Sequence, residues 1–182
     1  MKKIPLTLAN TEKISNGLEI LLKGLYIIGE RGHTIQIVQG YLGQFLTAKV
    51  YLEKGLKVFW VYPEYDLYIE GIGKLEVKTA KCWSKDGNSD ANVFGLELNK
   101  FDIFILVLIN GDNEVFKVLS IPKPELKECE KIHDFIVGNK RSPCFVYYDR
   151  RGLKRAEKEG FEIYMIEKNI ALHEKSYLLW CK

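Results

Sequence analysis

Residues 103–109, "IFILVLI", are seven consecutive apolar side chains, preceded by Asp102 and followed by "NGDN". Successive side chains of a strand point to opposite sides, so a strand with one wet face alternates between apolar and polar residues. A run without alternation needs apolar material on both faces, as in the middle of a covered sheet. The stretch is too short for a typical helix and is bounded by turn residues. It therefore predicts a central strand over 102–109, joined through "GDN" to a second strand over 114–121.

Elements able to cover such a sheet precede it. Leu18, Leu21, Leu22 and Leu25 recur at helical spacing from Ile14, which predicts a first helix ending near Gly29 despite Gly17 and Gly24 inside it. A second helix is predicted from Thr34, as N-cap, to Lys54, with Ile35, Val38, Leu42, Phe45 and Leu46 on one face and Gly55 as the stop. After Gly55 the period becomes strand-like. Residues 57–62, 65–70 and 74–80 read as a three-stranded meander. The polar segment 81–92, with Asp86-Gly87-Asn88, reads as a loop. Pro124, Leu126, Cys129, Ile132, Ile136 and Gly138 predict a third helix, and "CFVYYD" and "FEIYMI" predict strands on either side of a short basic helix. The fold class is α/β (α+β): a mixed central β-sheet flanked by helices, in a single domain over 1–182. A 182-residue chain with 47% hydrophobic residues is large enough for one such core.

Composition removes several function classes. Cys82, Cys129, Cys144 and Cys181 have no CxxC spacing, which argues against a thiolate zinc site or a disulfide framework. His33, His133 and His173 are widely separated and show no metal-ligand spacing. Cys82 has no nearby histidine, so it is not expected to be a nucleophile. The N-terminal Met1-Lys2-Lys3 is followed by an apolar stretch that Pro5 and Thr7 interrupt. No signal peptide and no membrane span are expected, and a cytoplasmic location follows. The formal charge of +3 is too small to argue for nucleic acid by itself. An excess of lysine over arginine and glutamate over aspartate leans towards a thermophilic source.

The chemistry is concentrated in "YDLYIEGIGKLEVKTA", residues 65–80. Alternation sets Asp66, Tyr68 and Glu70 on one face of the first strand and Lys74, Glu76 and Lys78 on one face of the next. With Gly71-Ile72-Gly73 as the loop, Glu70 opposes Lys74, Tyr68 opposes Glu76 and Asp66 opposes Lys78, so the polar side chains converge. Two carboxylates on adjacent strands suit a hard cation such as Mg2+, with Mn2+ as a substitute, and a neighbouring ammonium suits a metal-bound water or a phosphate. The alternative is a solvated hairpin face with cross-strand ion pairs worth roughly 0.2–1 kcal/mol each.

The order of elements around that hairpin bears on the choice. A helix ending in "AKVYLEKGLKV", a strand, the acid of "YDLYI", "LEVKTA", the buried "FDIFILVL" and the strand "VFKVLSIP" together resemble the core of the PD-(D/E)XK nuclease superfamily, and within it archaeal Holliday junction resolvase-like proteins. The resemblance covers residues 34–121. It makes 1–33 an N-terminal helical extension and 122–182 a C-terminal extension. It implies a restriction endonuclease-like core, with Asp66, Glu76 and Lys78 catalytic, and Asp66, Glu76 and the Val77 carbonyl as metal ligands. Many relatives add a glutamate from the preceding helix; here the matching position in "GYLGQFLTAKVYL" is Gln44, which brings an amide oxygen but no charge. Gln44 is read equally as a metal ligand and as an amide satisfied between helix and sheet. The implied partner is branched or duplex DNA, and a homodimer is expected by analogy.

Lys81, Trp83 and Lys85 follow the motif strand and are candidates to meet nucleic acid, Trp83 by stacking or, equally, as a lid on local core. Four of the five arginines fall within "NKRSPCFVYYDRRGLKRAEKEG". Arg150, Arg151, Lys154 and Arg155 would line one side of a helix and could hold phosphates, or form an ordinary solvated face. A non-catalytic nucleic-acid-binding protein and an RNA-processing nuclease remain the alternatives to a DNA endonuclease.

Overall fold

The computed structural model describes residues 2–63, 65–81, 90–94, 96–97, 99–110, 115–122, 133–137, 140–148 and 178–181. The order of elements is β1 (Lys2–Pro5), α1 (Leu8–Ile27), α2 (His33–Glu53), β2 (Val58–Tyr62), β3 (Leu67–Ile69), β4 (Gly73–Lys81), β5 (Asp90–Phe94), β6 (Ile103–Ile109), β7 (Val115–Pro122), β8 (His133–Val137), β9 (Lys140–Tyr148) and β10 (Leu178–Cys181). Strands form a seven-stranded sheet in the order β1-β2-β3-β4-β6-β7-β10 and a three-stranded sheet in the order β5-β9-β8. The chain divides into two compact units, residues 1–79 with 100–105, and residues 80–99 with 106–182.

In the first unit two helices are followed by the expected meander. Thr7, extended at φ −115°, caps α1 by accepting from the Asn10 amide. The helix thus begins six residues before Ile14, where the periodicity had placed its start. Both helices end in the same way, with glycine in the left-handed region. Gly29 (φ +78°) donates to Tyr26 and Glu30 to Leu25; Gly55 (φ +78°) donates to Leu52 and Leu56 to Tyr51. These paired bonds satisfy the last carbonyls of each helix. The N-cap of α2 is Gly32 at φ +91°, without a side-chain bond, rather than Thr34. The backbone turn between the helices requires a positive φ there, which a glycine adopts without strain. Leu22, Ile35, Val38 and Leu42 form the buried seam of α1 and α2, and Glu12 joins Lys49 across it at 3.1 Å.

β2, β3 and β4 are antiparallel neighbours, and β1 adds an edge strand opposite β2. A strand over Lys2–Pro5 was not anticipated; Pro5 is tolerated there because an edge strand need not donate on its outer side. Lys74 donates its amide to Asp102 Oδ2 at 2.9 Å and accepts from the Asp102 amide at 2.8 Å. The start of β6 therefore lies beside the start of β4, and the two strands run parallel, which makes the sheet mixed. Phe104 to Ile109 are all buried, as expected of a strand covered on both faces.

In the second unit β9 pairs antiparallel with β5 and with β8. Two expectations are corrected here. Residues 133–137 form strand β8, not the end of a helix, because Phe135-Ile136-Val137 favours the extended pairing over the weaker helical spacing of Ile132 and Ile136. Asp90 to Asn92 belong to β5, not to a loop, since they pair with Tyr148 to Val146. The basic helix expected after "CFVYYD" and the strand "FEIYMI" lie outside the described residues. Among the described residues no helix is long and apolar enough to cross a membrane.

Candidate active site

The site is built where the hairpin β3–β4 loses its regular ladder. Leu67 faces Leu75, Tyr68 faces Lys74 and Ile69 faces Gly73. The turn is Glu70-Gly71-Ile72, closed by the Ile72 amide on the Ile69 carbonyl, with Gly71 at φ +80°. The expected register, with Glu70 opposite Lys74 and Asp66 opposite Lys78, is therefore off by two residues. A shift of two preserves which face each side chain takes, so Leu67, Ile69, Leu75 and Val77 are buried as anticipated. Glu70 instead pairs with Lys57 at 2.9 Å on an exposed stretch.

Asp66 stands one residue before β3. Its amide donates to the Leu75 carbonyl, one position out of step with the ladder, while its own carbonyl accepts from Val61. The Val77 amide, which a regular ladder would give to a main-chain carbonyl, donates to Asp66 Oδ2 at 2.7 Å. The carboxylate thus substitutes for backbone, and this fixes its position on the hairpin. That arrangement is how the side chains of Asp66 and β4 come together.

Gln44, from the middle of α2, donates Nε2–H to Asp66 Oδ1 at 2.7 Å. Trp60 of β2 donates Nε1–H to Gln44 Oε1 at 3.2 Å. An indole nitrogen is a donor only, so the amide oxygen must face Trp60 and the amino group must face Asp66. Trp60 was not among the predicted residues. No local pattern in the sequence pointed to it, because its role follows from where Gln44 meets Asp66.

Lys78 Nζ lies 2.6 Å from Glu76 Oε1, and Glu76 is the more buried of the two. Burial, and after it the Glu76 charge, push the Asp66 carboxyl up to about 6; the Val77 amide and the Lys78 charge pull it back. Asp66, Glu76 and Lys78 are therefore close enough to act on one another electrostatically. Thr79, which follows Lys78 in β4, is half-buried, and its enclosed Oγ1 has no hydrogen-bond partner among the described residues. Lys81 ends β4 and is half-buried. Trp83, Lys85, Arg150, Arg151, Lys154 and Arg155 lie outside the described residues.

Among the described residues no three His, Cys, Asp or Glu side chains gather as a metal cage. Two carboxylates and a peptide carbonyl with added water are nevertheless a donor set that Mg2+ accepts, since it commonly keeps several waters and takes one or two carboxylates. After the larger effect of burial, Glu76 also raises the Asp66 carboxyl, a repulsion between two carboxylates that Lys78 offsets in part and that a divalent cation would relieve. Asp66, Glu76 and the Val77 carbonyl are the oxygen donors that could hold such an ion; Asp66 already accepts from Gln44 and Val77, Glu76 from Lys78, and the Gln44 oxygen, held by Trp60, is turned away from Asp66. Compared with known proteins, the sequence matches no family model and no curated protein at a significant level.

Proposed function

We propose that this chain is a metal-dependent endonuclease that hydrolyses phosphodiester bonds in DNA, with branched DNA as the candidate substrate and a PD-(D/E)XK-like site. The observation that carries the reading is the geometry where the hairpin ladder breaks: the Val77 amide donates to Asp66 Oδ2 at 2.7 Å, and its strand neighbours Glu76 and Lys78 pair at 2.6 Å. Asp66 and Glu76, with the Val77 carbonyl, would hold Mg2+ or Mn2+. When bound, such an ion supplies Lewis acidity and a more acidic water. Lys78 orients the attacking water or neutralises charge that develops on the phosphate. Glu76 holds the Lys78 ammonium in place at 2.6 Å. Gln44 and the Val77 amide keep the Asp66 carboxylate fixed, so that it does not have to reorganise during the reaction.

One observation favours a second reading, a nucleic-acid-binding protein without turnover. The Gln44 amino group occupies Asp66 Oδ1, where relatives of the resembled family would bring a further carboxylate. Incubating the purified chain with junction, flap, duplex and single-stranded DNA, and with RNA, in the presence and absence of Mg2+, separates the readings. Mg2+-dependent cutting of DNA supports the endonuclease. Binding without cutting under every condition supports the second reading, and cutting confined to RNA transfers the chemistry to the other backbone.

A further inference from the structure

The strands β1 to β4 present two different sides. Val58, Leu67, Ile69 and Leu75 are buried on the side of Trp60, which bonds to Gln44 of α2. Alternation turns Phe59, Tyr68, Lys74, Glu76 and Lys78 to the other side. There Phe59 and Tyr68 are only half-buried, and Lys3 and Lys74 are exposed. Register sets Phe59 opposite Tyr68 and Tyr68 opposite Lys74, so the three form one row across the sheet. The two rings lie 6.1 Å apart, tilted at 48°. Lys3, from the edge strand β1, reaches over Tyr68 with Nζ 3.5 Å from the ring centre. The charges on this side are unequally matched. Glu70 has Lys57 at 2.9 Å, Glu76 has Lys78 at 2.6 Å, and both Asp66 oxygens accept from N–H donors. Neither ammonium of Lys3 and Lys74 pairs with a carboxylate among the described residues; that of Lys74 lies 5.3 Å from the Tyr65 ring. Two surplus cations thus flank a half-exposed pair of rings.

We propose that this side of the sheet binds a single strand of DNA, with a base stacked on Tyr68 and Phe59 and the neighbouring phosphates on Lys3 and Lys74. This assignment rests on the reading of Asp66, Glu76 and Lys78 as a nuclease site, and it specifies the part of the substrate beside the cut. Cation, ring and cation in succession match the phosphate, base and phosphate of a nucleic-acid strand. A base inside a duplex is stacked on its neighbours, whereas a base of a single strand is free to lie on a protein ring. Lys3 has to leave the Tyr68 ring for this. A base stacked on an aromatic ring is the stronger contact, and the displaced ammonium gains a phosphate. Lys74 and Glu76 are two residues apart on β4, about 7 Å, so a strand lying on Tyr68 leads directly to the candidate site. Among branched DNAs this favours those with unpaired nucleotides at the branch.

Fluorescence anisotropy of a short labelled DNA strand, free and annealed to its complement, tests this in EDTA, where binding is read without cutting. The parent is expected to bind the free strand more tightly than the duplex. Tyr68→Leu, which keeps an apolar side chain on the sheet, should weaken binding of the free strand about tenfold and leave duplex binding unchanged. Lys3→Gln with Lys74→Gln, both at exposed positions, should make log K for the free strand fall less steeply with log salt, by about 1.4, or ~0.7 for each phosphate lost. Equal affinity of the parent for strand and duplex overturns the proposal. So does strand binding that Tyr68→Leu and the double lysine variant both leave unchanged. An oligoglutamate of equal charge that displaces the strand as readily as unlabelled DNA does also overturns it, because charge alone is then read. The two proposals fail separately. A parent that binds the strand as described but cuts no DNA in Mg2+ overturns the endonuclease; a parent that cuts, with Tyr68 and lysine variants that bind as it does, overturns this surface alone.

Discussion

Gln44 meets Asp66 through its amino group, at 2.7 Å from Oδ1, because Trp60 claims the amide oxygen. The residue that stands where the resembled family often has an acid thus acts as a hydrogen-bond donor to the acid that remains. Replacing it reverses its effect on the site. Gln44→Glu removes the donor and places a second negative charge against Asp66. At pH 8 without divalent cation the variant should lose about 2–3 kcal/mol of stability, the cost of leaving a half-buried carboxylate unpaired. Added Mg2+ should restore more stability to this variant than to the parent, as read by thermal melts with and without the ion.

Trp60→Phe keeps an aromatic body in β2 but releases the Gln44 oxygen. The amide is then free to rotate, so Asp66 loses a fixed donor for part of the time. A loss of about 1–2 kcal/mol is expected in denaturant titrations, with the substitution at Gln44 to leucine adding less than its full effect in the double variant.

The elevated Asp66 carboxyl makes stability depend on pH in a defined direction. In the folded chain it titrates near 6, and unfolded near the ordinary value of 3.8. Between those values the folded state binds the proton that the unfolded state has released, so stability is full below about 3.8 and declines as pH rises through about 6. The loss should be about 3 kcal/mol, from a shift of about two units. Denaturant midpoints measured across pH 3.5 to 7 at ~0.1 M salt should show this decline, and Asp66→Asn should flatten it.

Gly73 is held at φ +125°, and a Cβ there would lie 2.6 Å from Asp102 Oδ2. Gly73→Ala must therefore both strain the backbone and displace the carboxylate that accepts from the Lys74 amide. A loss of about 2–4 kcal/mol is expected. Asp102→Ala should cost less, about 1–2 kcal/mol, because it removes the acceptor without the strain. Chemical denaturation of both variants checks the order.

The parts of this architecture readable in the sequence were those with a strong local period. The unbroken run 103–109, the meander read over 57–80 and the glycine stops after α1 and α2 each have one physical solution, although β4 runs on to Lys81, which the sequence had put in the next loop. The hairpin register was misplaced by two residues because Gly71 and Gly73 both suit a turn; only the approach of Asp102 shows that Gly73 belongs to β4. Residues 133–137 carried helical spacing and β-forming side chains at once, and pairing with β9 decided between them. At the site, Asp66, Glu76, Lys78 and Gln44 were legible as chemistry. Trp60 and the Val77 amide were not, since their roles depend on a ladder irregularity at Asp66 that alternation does not encode.

The central claim is that Asp66, Glu76 and Lys78 together hydrolyse a phosphodiester. The most direct measurement is cleavage of a four-way DNA junction in Mg2+ by the parent and by Asp66→Ala, Glu76→Ala and Lys78→Ala, each confirmed as folded by circular dichroism. The parent should cut, and each variant should lose at least roughly a hundredfold in rate, as expected when a group that holds the metal or stabilises the transition state is removed. Folded variants that cut as fast as the parent would contradict the account.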